Sequence, residues 1–169
     1  MGRVAVIVLA AGEASRFGSP KQRILLPKVL ARLRETSVDG IVVVEGAHEL
    51  APDDTRVVRC VDWERGPGAS LRCGLAALAE DVEAAVVVLA DGPNLSPQAV
   101  ERVLDAWRVG GGIVAASYNG GRSHPLVLGR DDWADIPDEG LRDRPVRLVP
   151  CADLGTPGDV DTPEDLEAL

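Results

Sequence analysis

The chain has 169 residues, 46% hydrophobic and 27% charged, with a formal net charge of −9. That length suits one domain with a sizeable core, residues 1–169. The acid excess argues against nucleic-acid binding, and no apolar run approaches the ~20 residues that cross a bilayer. The short apolar start is β-rich and runs into a loop, so it reads as a strand and not as a leader, in a cytoplasmic protein.

In chain order, strands are predicted at Val4–Leu9, Ile41–Val44, Arg56–Cys60, Ala85–Leu89, Ile113–Ala116, Leu126–Leu128 and Val146–Val149. Helices are predicted at about Pro27–Glu35, Ala69–Ala79, Pro97–Val109 and Pro163–Ala168. In the second helical stretch Leu71, Leu75, Leu78 and Val82 recur at spacings of 4, 3 and 4, one apolar face. Ser96-Pro97 and Thr162-Pro163 each read as an N-cap followed by proline at the first helical position. Gly110-Gly111-Gly112 reads as a helix exit. Strands that are apolar throughout, such as Ala85–Leu89, belong in a sheet covered on both faces. The fold class is therefore α/β, a three-layer, doubly wound, mostly parallel sheet. Such sheets bind ligands at the carboxyl ends of their strands, so the loops after Leu9, Leu89 and Ala116 should converge on one crevice.

The first strand delivers Ala10-Ala11-Gly12 and then a polar turn with Ser15, Arg16, Gly18 and Lys21. Small residues let a ligand approach backbone N–H groups, and Arg16 and Lys21 put positive charge where a triphosphate would lie. Neither GxxxxGK[ST] nor GxGxxG is present. Residues 1–34 carry seven basic residues and one acid, while the remaining 135 carry 11 basic and 26 acidic. A local positive field on an acidic body suits a small anionic ligand. Lys28, Arg32 and Arg34 read as a solvated helix face. The three cysteines, Cys60, Cys73 and Cys151, form no CxxC pair and no zinc pattern, and at least two read as buried thiols. Trp63, Trp107 and Trp133 read as core or core-edge residues.

The pattern Leu9-Ala10-Ala11-Gly12-x-x-x-Arg16-Phe17-Gly18-x-x-Lys21 resembles the MobA-like nucleotidyltransferases. Four further stretches match in the same order. They are Gly68–Leu75, Leu89-Ala90-Asp91-Gly92-Pro93, Ser123-His124-Pro125 and Asp159–Leu166, so the resemblance spans nearly the whole chain. It implies a Mg²⁺-dependent enzyme that transfers NMP from an NTP to a phosphorylated acceptor, the molybdenum cofactor (molybdopterin) first, with release of pyrophosphate. Leu-Ala-Ala-Gly at the first loop is similar to the cytidylyl-transferring members, which favours CTP over GTP. Contacts with pathway or acceptor enzymes are implied as well.

By the same resemblance, Leu9, Ala10, Ala11 and Gly12 approach the nucleotide, and Arg16 and Lys21 hold its phosphates. Asp91 is both catalytic and the first metal ligand; Asp161 is the second, with Asp159 as its alternate. An aspartate before Gly92-Pro93 is also a common turn residue, but beside the first loop the metal role is favoured. Gly68, Ser70 and Gly74 resemble the nucleoside-contacting segment, although Ser70 also suits a helix N-cap. His124 and Pro125 fall on the acceptor side. Arg72 faces either solvent or phosphate. Two departures stand out. The glycine-containing turn expected after Lys21 is missing, and the region around Asp138–Arg142 is compressed. Two further readings therefore stay open: another phosphorylated metabolite as acceptor, and a nucleotide-binding module without transfer activity.

Overall fold

A computed structural model of the chain describes residues 2–12, 21–50 and 55–158, with only the backbone described for Lys21 and Gln22. The elements are β1 (Arg3–Ala10), α1 (Lys21–Leu33), β2 (Gly40–Glu45), β3 (Arg56–Arg59), α2 (Pro67–Ala76), β4 (Val82–Leu89), α3 (Pro97–Gly110), β5 (Ile113–Ser117), β6 (Arg122–Gly129) and β7 (Arg147–Pro150). The strands form a seven-stranded sheet in the order β3-β2-β1-β4-β6-β5-β7. Neighbours are parallel except where β6 runs antiparallel to both β4 and β5. The chain winds outward from β1 to β3 and then restarts on the other side at β4. The β1/β4 boundary is thus the topological switch point of an α/β sheet.

Alternation along β1 divides the core into two layers. Val4, Val6 and Val8 face α1 and α3, where they meet Leu26, Val29, Val100 and Leu104. Ile7 and Ala11 face α2 and meet Leu71, Leu75, Val87 and Leu126. A central strand buried from both sides explains the continuous apolar run.

Strands β4 and β6 begin earlier than expected, at Val82 and Arg122, and the first two helices differ as well. Helix α1 begins at Lys21, six residues before Pro27, which lies inside it. The proline removes one helical hydrogen bond, but Leu25, Leu26, Val29, Leu30 and Leu33 on one face are all buried and hold the helix to the sheet. Helix α2 ends at Ala76, so Val82 opens β4 and is not part of a helical face; Gly74 and Leu75 carbonyls accept from the closing Ala77 N–H. Its N-cap is Gly66, at φ 137°, so Ser70 is an interior helix residue and not a cap. Helix α3 matches closely, with the Ser96 hydroxyl accepting from Ala99 N at 3.3 Å. The expected helix over Pro163–Ala168 lies outside the described residues.

The cysteines also differ from the expectation of thiols. Helix α2 packs over the end of β3, which brings Cys60 and Cys73 to a Cα–Cα distance of 5.8 Å, and they form a disulfide. Cys151 remains a buried thiol. A 13-residue separation carries no local pairing motif, which is why the sequence pattern did not indicate the bridge.

Candidate active site

A crevice of about 560 Å³ opens at the carboxyl ends of β4 and β5, beside the switch point. Its chemistry comes from Asp91, Tyr118, Asn119, Ser123 and His124. Strand β4 continues for one more bond past its end, as Ala90 N donates to Leu9 O at 3.1 Å. Gly92 N then turns back to Leu89 O, which leaves Asp91 half-buried at the crevice mouth. On the far wall, Asn94 N donates to Pro157 O at 2.9 Å, fastening Thr156–Gly158 against the loop after β4. A Cβ at Gly92 would lie 3.0 Å from Pro157, so the glycine permits that approach. Asp159 and Asp161 follow directly in the chain and lie outside the described residues.

His124 lies where β6 enters the sheet. Burial pushes its pKa below the ordinary value, against the opposing charge of Asp91, so the imidazole is neutral at pH 7. It also lines a second cavity of about 360 Å³ on the α2 side, walled by Leu9, Leu71, Val87, Leu126 and Leu141. The two cavities meet at Arg122 and His124. The Arg122 guanidinium donates to the carbonyls of Leu141, Arg142 and Arg144 at 2.5, 3.2 and 3.1 Å. It therefore ties down the loop that roofs the second cavity.

Residues 136–138 of that loop are fastened to α2 as well. Arg72 donates to Ile136 O and to Asp138 Oδ1, both at 2.6 Å, and Arg65 approaches Asp138 Oδ2 at 3.2 Å. The hydrogen bond from Arg72, aided by the charge of Arg65, holds the Asp138 carboxyl below its usual range. Gly68 N donates to Asp138 O at 2.8 Å. A Cβ at Gly68 would lie 1.7 Å from Pro137 O, so only glycine admits this contact. Arg72 thus resolves to a third option, an ion pair within the protein.

The residues singled out from sequence fall into three groups. Asp91, His124 and the Leu89 end of β4 share the crevice, and Leu9 and His124 share the adjoining cavity. Gly68, Ser70 and Gly74 are buried in α2 under the 136–138 segment and against the sheet; a Cβ at Gly74 would stand 2.7 Å from Ile7 Cγ2. Arg16 and Asp161 lie outside the described residues, and Lys21 opens α1. Around the first loop, Ala10 and Ala11 are buried while Gly12 is exposed, and a Cβ at Gly12 would meet nothing within 4 Å. The Ala11 methyl points into the α2-side core, toward Gly46. Tyr118, Asn119 and the Thr156–Gly158 wall were not anticipated; the usable signal was Tyr-Asn-Gly-Gly, a hairpin turn between two apolar runs. Among the described residues, no three His, Cys, Asp or Glu side chains cluster as a metal cage.

Residues 6–149 match the MobA-like NTP transferase domain. The chain belongs to that family. A solved structure of Rv0371c from Mycobacterium tuberculosis H37Rv superposes with a TM-score of 0.81 at 30% identity, covering 99% of this chain and 96% of that one. A complex of Rv0371c with manganese superposes with a TM-score of 0.75 at 26% identity, covering 99% and 97%. The bifunctional protein GlmU of Cutibacterium acnes is 33% identical over 121 residues, 62% of this chain but 28% of the relative's length. The chain thus spans about a third or less of that relative. Membership makes this MobA-like domain a nucleotidyltransferase by family, a class that acts on nucleotides and commonly uses divalent metals. No helix among its described residues is long and apolar enough to cross a membrane.

Proposed function

We propose that this MobA-like domain transfers NMP from an NTP, CTP before GTP, to a phosphorylated acceptor, molybdopterin first. The observation that carries the reading is Asp91, held at the mouth of a crevice beside the β1/β4 switch point, with His124 of β6 lining the same crevice. In the reaction an acceptor phosphate oxygen bonds to the α-phosphorus as the bond to the β-phosphate oxygen breaks, and pyrophosphate leaves with that electron pair. The acceptor phosphate is already ionised at neutral pH, so no strong base is required. A neutral, half-buried His124 suits this role, since it orients the acceptor by hydrogen bonding without taking its proton.

The Gly12 surface supports nucleotide approach, because among the described residues no atom lies within 4 Å of where a Cβ would stand there. Arg16 and Lys21 supply the charge that holds the triphosphate. Asp91, with Asp161 as its partner, offers only carboxylate oxygen, the donor type that Mg²⁺ and Mn²⁺ prefer. One or two protein carboxylates with phosphate oxygens completing the shell is the usual Mg²⁺ arrangement, and it needs no three-residue cage. The metal, when bound, neutralises charge that builds on the phosphates. The manganese complex of Rv0371c supports a divalent ion, and the Leu9-Ala10-Ala11-Gly12 resemblance supports CTP.

The test is thermal shift with each NTP, with and without Mg²⁺, followed by pyrophosphate release with molybdopterin. A Mg²⁺-dependent shift selective for CTP, with release abolished in Asp91→Ala, is expected. Full activity in Asp91→Ala would overturn the assignment of that residue. Binding without release for any acceptor would favour a carrier module.

A further inference from the structure

Strand β6 has a break in its pairing, located at the crevice. From Leu126 onward it pairs with β4 and β5 together, and at Arg122 it pairs with Ser117 of β5. Ser123, His124 and Pro125 have no partner residue in either ladder. The register between β5 and β6 shifts here, between Ala115 and Ser117, and Pro125 has no N–H to donate, so His124 sits on an irregular stretch of the strand.

One side chain bridges the break. The Tyr118 hydroxyl donates to the carbonyl of His124 at 2.9 Å. Tyr118 directly follows β5, at the start of the turn Tyr118–Gly121 that leads into β6. Its ring is 8% exposed and packs in the core beside α1 and α3, so the hydroxyl comes from a side chain with little freedom to swing. Burial, and then the charge of Cys151, push its pKa up to about 12, which keeps the phenol a donor throughout the neutral range.

We propose that Tyr118 is a positioning residue for the acceptor side of the crevice: its hydroxyl anchors the His124 carbonyl where the β5–β6 register shifts, and so sets where the imidazole stands. The proposal rests on reading the crevice as the transfer site and His124 as an acceptor contact. A hydroxyl that merely stabilised the hairpin would affect all substrates alike. A positioning role affects the acceptor and leaves the nucleotide half untouched.

Tyr118→Phe keeps the ring and its burial and removes only the hydroxyl. Two measurements separate failure of this inference from failure of the function. The chain has two histidines, so protein labelled with ¹⁵N-histidine gives two ring spin systems. In Tyr118→Phe the His124 signals are expected to shift or broaden while those of His48 stay fixed; superimposable His124 signals would overturn the proposal whatever the protein catalyses. In pyrophosphate release with CTP, Mg²⁺ and molybdopterin, losing one neutral hydrogen bond should raise the acceptor KM about fivefold and leave the CTP KM within about twofold. Both constants unchanged, or both rising together, would overturn it too. Wild-type protein that releases no pyrophosphate refutes the transfer reading alone, and the histidine spectra then decide what Tyr118 does.

Discussion

Reducing the Cys60–Cys73 bridge perturbs the fold at one defined place, and its effect follows from chain length. The bridge joins residues 13 apart. Closing a loop of that size in the unfolded chain corresponds to about 3 kcal/mol in the chain-entropy treatment. Unfolding entropy near 2.1 cal/mol/K per residue over this chain is roughly 0.35 kcal/mol/K, so about 3 kcal/mol moves Tm by about 8 °C. The thiols left behind partly offset the loss, since Cys60 is buried and packs as a small apolar group. A calorimetric scan with and without a phosphine reductant, beside Cys73→Ser, measures the shift. Thiol titration of denatured, unreduced protein should count one free cysteine, Cys151, and reduction should release two more. Three titratable thiols before reduction, or a Tm unmoved by reductant once three are counted, would refute the reasoning.

Three further outcomes follow from contacts described above. Gly68→Ala puts a methyl onto a backbone carbonyl that no rotamer change can relieve, so its urea midpoint should fall by the equivalent of about 2–3 kcal/mol; an unchanged midpoint would mean the 136–138 segment does not rest on α2. Ser96→Ala removes the N-cap of α3 and should cost about 1 kcal/mol by the same assay, with a loss near zero counting against the cap. Burial holds folded His124 below its ordinary 6.5, so between the folded and unfolded values the unfolded chain binds more protons. That contribution to stability is complete above about 6.5 and is lost as pH falls through the window. Tm measured from pH 7 to 5 should fall less in His124→Gln than in wild type, and equal falls would contradict it.

The strands were legible because burial on both faces leaves an unbroken apolar signal, as in Val4–Leu9 and Ala85–Leu89. Helix α3 was legible because Ser96-Pro97 and Gly110-Gly111-Gly112 mark its ends in local chemistry. The start of α1 was not, since Pro27 reads as a beginning, and only burial of Leu25 and Leu26 against the sheet reveals a helix already under way. Val82 fits the spacing of α2's apolar face, and the chain's turn at Leu78–Asp81 breaks a pattern that periodicity alone continues. Asp91 was legible at the crevice mouth because it follows the apolar run Ala85–Leu89, whereas His124 was singled out by resemblance and only the structure brings the two to one crevice. The Asp138 ion pairs and the Tyr118 hydroxyl were not, because they join segments whose approach is set by the packing of α2 and the reversal of β6. The same limit hid the disulfide.

The reversal of β6 has an evolutionary corollary. Six strands finish at the ligand edge, whereas β6 starts there, so its turn with β5 projects over the crevice and its far end is locked to β4 from Leu126 to Gly129. Residues can be gained or lost in the turn without sliding that locked register, because the change is absorbed before pairing begins. Selection can thereby retailor the pocket for a new second substrate while the nucleotide-handling scaffold is inherited intact.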